Sequence, residues 1–299
     1  MSRPGAFAES IAGAAALAMA RVLPRRTLLA LGGAAGALAG LIDRRHTAIA
    51  RQNLLDAFGA DMPARERERI VRACWRHFGR MALDGIAFPG LAPQATASIL
   101  EVEGLDRARA ALAKGHGLLI FSAHFGHWEA GIAAMRRLEV PLSVIVRPLD
   151  NPELDRRVTA LRRQAGVSVI RKRSAIRESL RALADGGAVI MLIDQDARDA
   201  GVFVPFFGRP ASTTPALALL ALRTKAPIVP VATLLSPDGT IAIEVEPELE
   251  IRPTGDRDAD VLRVTAACTA IVERWVRLHP EQWLWMHRRW KSQPQKETA

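Results

Sequence analysis

The sequence predicts an α/β fold, a single sheet flanked by helices, with N-terminal membrane-associating helices ahead of it. Apolar runs of strand length recur at Leu118–Phe121, Leu142–Val146, Val167–Ile170, Ala188–Ile193 and Ile228–Ala232. Stretches with apolar residues at helical spacing separate them, an alternation that yields a sheet covered by helices. The first 43 residues differ: they hold two Ala- and Gly-rich runs bordered by arginine. The expected organisation is therefore residues 1–43 as apolar membrane-associating helices and residues 44–299 as one domain.

Taken in order, residues 5–23 and 27–42 are the two apolar runs, with Arg21, Arg25 and Arg26 between them. Neither reaches the roughly 20 strongly apolar residues of a confident span. Arginine at their borders suits helices lying at, or dipping into, an anionic membrane surface; the alternative is a pair of core helices. The first run also resembles a secretory signal in outline. Gly32, Gly36 and Gly40 stand four residues apart, which permits close helix packing. Residues 44–90 read as helices, Pro89, Gly90 and Pro93 as a loop, and Ile99–Gly104 as the first strand. A helix is expected from Asn151, a good N-cap with Pro152 in the first turn, to about Gly166. Further helices are expected at Ser174–Asp185, Pro215–Lys225 and Ala259–Leu278, and an alternating strand at Thr240–Val245. No repeat, low-complexity tract or Gly/Ser linker divides residues 44–299.

The chemistry gathers where the Leu118 run ends, at Ser122-Ala123-His124-Phe125-Gly126-His127-Trp128-Glu129. Helical character begins near Trp128, so this is a strand, a tight turn and a helix start. Inside one helix, His124 and Glu129 would lie about 140° apart around the axis and could not meet. They can pair only if His124 sits in the turn, which Gly126 permits by tolerating unusual backbone angles. Glu129 would then hold one imidazole nitrogen and leave the other as a general base.

Two other strands end in polar residues. Arg147 follows the Leu142 strand, and Asp194 and Asp196 follow the Ala188 strand. In open α/β sheets, sites lie beyond the C-terminal strand ends, so His124, Arg147, Asp194 and Asp196 are expected to converge on one crevice. Arg147 could hold a phosphate or a developing oxyanion, helped by backbone N–H groups near Gly126. Asp194 and Asp196 could position a hydroxyl, or simply cap turns. Arg209 is a candidate phosphate contact, and Phe203, Phe206 and Phe207 could line an apolar channel or pack in the core. Trp283, Trp285, Trp290, His287, Arg288, Arg289 and Lys291 crowd the C-terminus, as expected either at lipid headgroups or in a half-buried last segment.

Composition narrows the partner. The 299 residues carry a net charge of +10 and are 49% hydrophobic, ample for a core. The excess of arginine implies an anionic partner. With no zinc-finger spacing, helix-turn-helix signal or aromatic-interleaved basic motif, nucleic acid is not the expected one. Two distant cysteines, Cys74 and Cys268, suggest neither a disulfide framework nor a thiolate metal site.

The His124–Glu129 stretch resembles the His-x4-Asp/Glu motif of glycerolipid acyltransferases, in the His-x4-Glu form of the bacterial lipid A late acyltransferases. His127 stands where that family usually has Asn. Val146-Arg147-Pro148-Leu149-Asp150-Asn151-Pro152, Asp194-Gln195-Asp196, Val204-Pro205-Phe206-Phe207-Gly208 and Pro280-Glu281-Gln282-Trp283-Leu284-Trp285 follow in the family's order. The resemblance implies an O-acyltransferase at the cytoplasmic face of a bacterial inner membrane. It implies no resident cofactor, and a donor thioester on acyl carrier protein or coenzyme A. The implied acceptor is a lipid A precursor, or else a phosphatidylinositol mannoside, a lysophospholipid or another glycolipid. His124 would be the base and Glu129 its partner, with Arg147, Asp194, Asp196 and Arg209 binding substrate. A metal-dependent hydrolase using His124, His127, Glu129 and Asp196 is the alternative chemistry, and a non-catalytic membrane-binding protein the alternative class.

Overall fold

The computed structural model describes residues 22–88, 96–148 and 151–294. Three helices come first: α1 (Arg25–Ile42), α2 (Arg44–Phe58) and α3 (Ala64–Ala87). The sheet is then laid down as β1 (Leu100–Glu103), β2 (Leu118–Ser122), β3 (Leu142–Val146), β4 (Val167–Arg171) and β5 (Ala188–Leu192). Between these strands lie α4 (Leu105–Leu112), α5 (Trp128–Met135), α6 (Pro152–Gln164) and α7 (Ala175–Ala184). A hairpin of β6 (Val202–Phe206) and β7 (Arg209–Thr213) follows, then α8 (Ala216–Thr224), β8 (Ile228–Leu235), β9 (Ile241–Val245) and α9 (Arg257–Leu278).

The main sheet has seven strands in the order β1-β9-β8-β2-β5-β3-β4, parallel throughout except where β9 runs against β8. Helices cover both faces, which is why the central strands read as unbroken apolar runs. On β2, Leu119 and Phe121 enter one core with α2, α3, α8 and α9, while Leu118 and Ile120 enter the other with α4 and α5. Val189 and Met191 of β5 repeat the first side, Ala188 and Ile190 the second. The expected α/β sheet is thus present.

Two elements went unforeseen. One is α4. The other is the β6–β7 hairpin, whose two-residue turn, Phe207-Gly208, has positive φ at both positions (53° and 71°). Turns of that hand suit the right-handed twist of paired strands. Phe207 accepts this uncommon conformation for a non-glycine because its backbone N–H donates to Glu273 Oε2 on α9 at 2.5 Å and its ring packs against Phe58 and Trp285.

The glycines of α1 pack inward against α3, not against a second copy of themselves. A Cβ on Gly36 would lie 2.1 Å from the carbonyl oxygen of Trp75, and one on Gly79 of α3 would lie 2.1 Å from that of Gly32. The backbones touch because no side chain separates them. Leu31, Leu38, Leu41 and Ile42 remain exposed on α1. No single described helix is long and apolar enough to cross a membrane; α1 and α2 reach that length and composition only together, across a 91° bend. The first apolar run up to residue 21, the Pro89–Pro93 loop, Leu149 and Asp150 lie outside the described residues.

Gly36→Leu should therefore push α1 off α3 and cost about 1–3 kcal/mol, the usual range for overpacking. Gly33→Ala, whose nearest neighbour would be the flexible Arg80 side chain at 3.3 Å, should leave the melting temperature close to wild type. Thermal unfolding in detergent checks both.

Candidate active site

His124 sits two residues beyond β2, outside α5, as the sequence argument requires. Gly126 makes the turn with φ of 57°, and a Cβ there would fall 1.5 Å from the carbonyl oxygen of Thr233. No other residue fits. Thr233 Oγ1 donates to the Phe125 carbonyl at 3.0 Å, and His127 Nδ1 caps α5 by accepting from the Ala130 N–H at 3.2 Å. The C-terminal segment is stitched to the same turn. The Gly126 N–H donates to the Gln282 carbonyl at 2.9 Å and the Leu284 N–H to the His124 carbonyl at 3.1 Å.

The carboxylate that holds His124 is Asp194, not Glu129. His124 Nδ1 lies 2.8 Å from Asp194 Oδ1, and the His124 backbone N–H donates to Asp194 Oδ2 at 2.9 Å. The reason is register. Ser122 of β2 pairs with Leu192 of β5, so equal steps of two bring His124 and Asp194 side by side. Trp283 Nε1 adds a third donor to Oδ2 at 2.8 Å. Burial opposes charge on Asp194, but the His124 charge and these donors outweigh it and push the carboxyl down to about 2. With both oxygens taken and the residue buried, Asp194 does not meet a substrate hydroxyl, contrary to the sequence expectation. Glu129 instead pairs with Arg162 of α6, while His124 Nε2 faces the side-chain amide of Gln195 at 3.3 Å.

His124 opens onto a cavity of about 910 Å³ bordered also by Glu129, Arg147, Arg162, Asp196 and His287. Arg147 and Asp196 therefore join His124, as expected. Among the described residues, one buried carboxylate oxygen of Asp196 has no partner, and the other accepts from Ser292 Oγ at 3.1 Å. Arg209 does not line the cavity; it sits on β7, paired with Asp56 of α2 at 2.6 Å. Phe206 and Phe207 are core residues against Trp283, Trp285 and Trp290, so the cavity wall is built by Met81, Ile132, Val144 and Ile176 instead. The backbone N–H of Gly126 is spent on Gln282 and cannot serve an oxyanion.

His127 is fully buried and its Nε2 lies 3.1 Å from Asp84 Oδ2. Asp84 in turn receives Arg25 from the first residue of α1. His77 packs beneath the turn, 3.1 Å from the Gly126 carbonyl. His127 is thus walled off from His124, and among the described residues no three His, Cys, Asp or Glu side chains gather to hold a metal ion.

Because the Asp194 carboxyl lies below its ordinary 3.8 in the fold, its ionised form stabilises the protein above about pH 4, and that stability is lost as pH falls toward 2. A drop to about 2 corresponds to about 2 kcal/mol. Acid titration of folding should show this component in wild type and lack it in Asp194→Asn.

The sequence model for the family described as "Bacterial lipid A biosynthesis acyltransferase" matches residues 3–292. A lipid A biosynthesis palmitoleoyltransferase of Escherichia coli is 30% identical over 281 residues, covering 93% of this chain and 89% of its own. A lipid A biosynthesis lauroyltransferase of the same organism is 29% identical, over 91% and 88%. A phosphatidylinositol mannoside acyltransferase of Mycolicibacterium smegmatis is 26% identical, over 80% and 78%. A match across nearly the whole length, joined to the motifs that build the His124 turn, places the chain in the bacterial lipid A biosynthesis acyltransferase family, and it is an acyltransferase.

Proposed function

We propose that this chain moves a fatty acyl group from a thioester, on acyl carrier protein or coenzyme A, to a hydroxyl of a lipid A precursor, with His124 as general base. One observation carries the reading: a histidine locked by a buried carboxylate at the mouth of a cavity that is apolar inside and basic at its edge. Asp194 accepts from Nδ1–H, which leaves the lone pair on Nε2. The acceptor hydroxyl displaces the Gln195 amide and gives its proton to Nε2 as its oxygen attacks the thioester carbon. The carbonyl electron pair moves onto oxygen, and the carbon–sulfur bond breaks as the tetrahedral species collapses. Nε2 returns the proton to the departing sulfur. No enzyme nucleophile is needed, because the acceptor itself attacks.

The cavity volume lies within the range of ordinary ligand pockets. Arg147, Arg162, Lys172, Arg198, Arg288 and Lys291 at its border suit a phosphorylated acceptor. Exposed Leu31, Leu38, Leu41 and Ile42 on α1 support contact with a membrane surface, in this reading the cytoplasmic face of the inner membrane. The phosphatidylinositol mannoside acyltransferases among the relatives make such a glycolipid the competing acceptor.

Membranes holding wild type should add one acyl chain to a phosphorylated glycolipid, read by mass spectrometry of extracted lipids. His124→Ala and Asp194→Asn should each lower turnover by about 10²–10⁴-fold, the usual weight of a positioned base and of the acid that sets its tautomer. Glu129→Gln, which frees Arg162, should change KM for the acceptor more than kcat. Wild-type turnover in Asp194→Asn would refute the dyad, and acylation of phosphatidylinositol mannoside alone would replace the acceptor.

A further inference from the structure

An acyl-transfer site needs a donor for the oxygen that becomes negative, and the Gly126 amide at the centre of the turn is not available for it. The Gly126 N–H is committed to Gln282, and the His127 cap takes the Ala130 N–H in the first turn of α5. His287 meets the need. Its Nε2 accepts the backbone N–H of Asp196 at 3.0 Å, and a backbone amide can only donate. The ring is therefore held with its proton on Nδ1. Nδ1 has no partner among the described residues, and the residue borders the cavity that also contains His124.

The backbone fixes the position of this ring relative to the base. The His287 N–H donates to the Leu284 carbonyl, and the Leu284 N–H donates to the His124 carbonyl, both at 3.1 Å. Asn53 Nδ2 holds the His287 carbonyl at 2.6 Å from the opposite side. Two imidazoles thus border one cavity with opposite tautomers: His124 keeps its lone pair on Nε2, and His287 keeps its proton on Nδ1.

Resting on the acyl-transfer reading, we propose that His287 is a catalytic residue whose neutral Nδ1–H donates a hydrogen bond to the thioester carbonyl oxygen and to the oxyanion of the tetrahedral intermediate. The charges that bear on it are mixed: Asp194 and Asp196 from the loop after β5, His124 from the loop after β2, and Arg289 from its own segment. Burial dominates and pushes the imidazole down to about 4, so the ring stays neutral through the working range. A neutral imidazole is a suitable electrophile there, because it strengthens its hydrogen bond as charge develops without competing with His124 for the hydroxyl proton.

The test uses the purified full-length protein in detergent with an acyl carrier protein thioester and a lipid A precursor. His287→Phe keeps the ring volume and removes the donor; kcat should fall about 10²–10³-fold, the usual loss for one oxyanion donor, with donor and acceptor KM within threefold. His287→Gln, whose amide can both accept from Asp196 and donate, should recover at least tenfold of that loss. Independently, ¹⁵N imidazole spectra of wild type, with the His287 signal identified by its loss in His287→Gln, should show a neutral Nδ1–H tautomer from pH 5 to pH 8. An unchanged kcat in His287→Phe, a loss confined to KM, or an imidazolium or Nε2–H form at pH 7 would overturn the proposal. If His287→Phe does not fold, the spectra decide. If wild type transfers no acyl group to any lipid while the spectra come out as expected, it is the acyl-transfer reading that fails, not the tautomer.

Discussion

The contact between His124 and Asp194 is the constraint on which the rest of the site depends. It is made by sheet register, since neither residue has freedom to search for the other. β2 and β5 are buried on both faces and paired residue for residue from Leu118 to Ser122, so their two-residue extensions arrive together. Sliding one strand by a single residue would turn every core side chain to the wrong face. The register that keeps Phe121 and Met191 in one core is the same one that delivers the base to its carboxylate.

The C-terminal segment completes that constraint from outside the sheet. Trp283 packs against Trp285 and Phe206, and its N–H reaches Asp194, so an aromatic cluster anticipated either at lipid headgroups or in a last packed segment is instead the interior lining of the dyad. Arg289 is equally hidden. It donates to the Ser212 carbonyl at 2.6 Å and to Thr213 Oγ1, and lies 5.3 Å over Phe206, tying the β6–β7 hairpin to the segment. Burial lowers this guanidinium to about 10, with Asp194 and Asp196 near enough to compensate its charge. A buried cation at this position reinforces the packing of Phe206 on Trp283 and Trp290 that already joins the hairpin to the segment.

Much of this was legible in the residues. Unbroken apolar runs marked the parallel strands, because a strand buried on both sides needs no alternation, and Gly126 marked the turn. Strand order was not legible. β5 lies beside β2 although β3 and β4 intervene in the chain, so the near partner in sequence, Glu129, stood in for the near partner in space. Arg209 was misplaced for a related reason: a conspicuous Phe-Phe-Gly-Arg run concealed a hairpin whose outward residue answers Asp56. His287 stood out only as one of a C-terminal cluster of arginines and tryptophans, since nothing in a sequence shows that a backbone N–H will fix a tautomer.

The stitch between residues 282–285 and the His124 turn has a consequence for biosynthesis. The base, its carboxylate and the His287 ring come from loops about 70 and 90 positions apart, and the segment that closes them is made after every strand of the sheet. Helices α1–α3 precede every strand and can settle against one another early, whereas β1 must wait for β9 and the dyad for Trp283. Distant pairings of this kind fold slowly. A nascent chain can therefore hold α1–α3 formed while its chemistry is still unassembled.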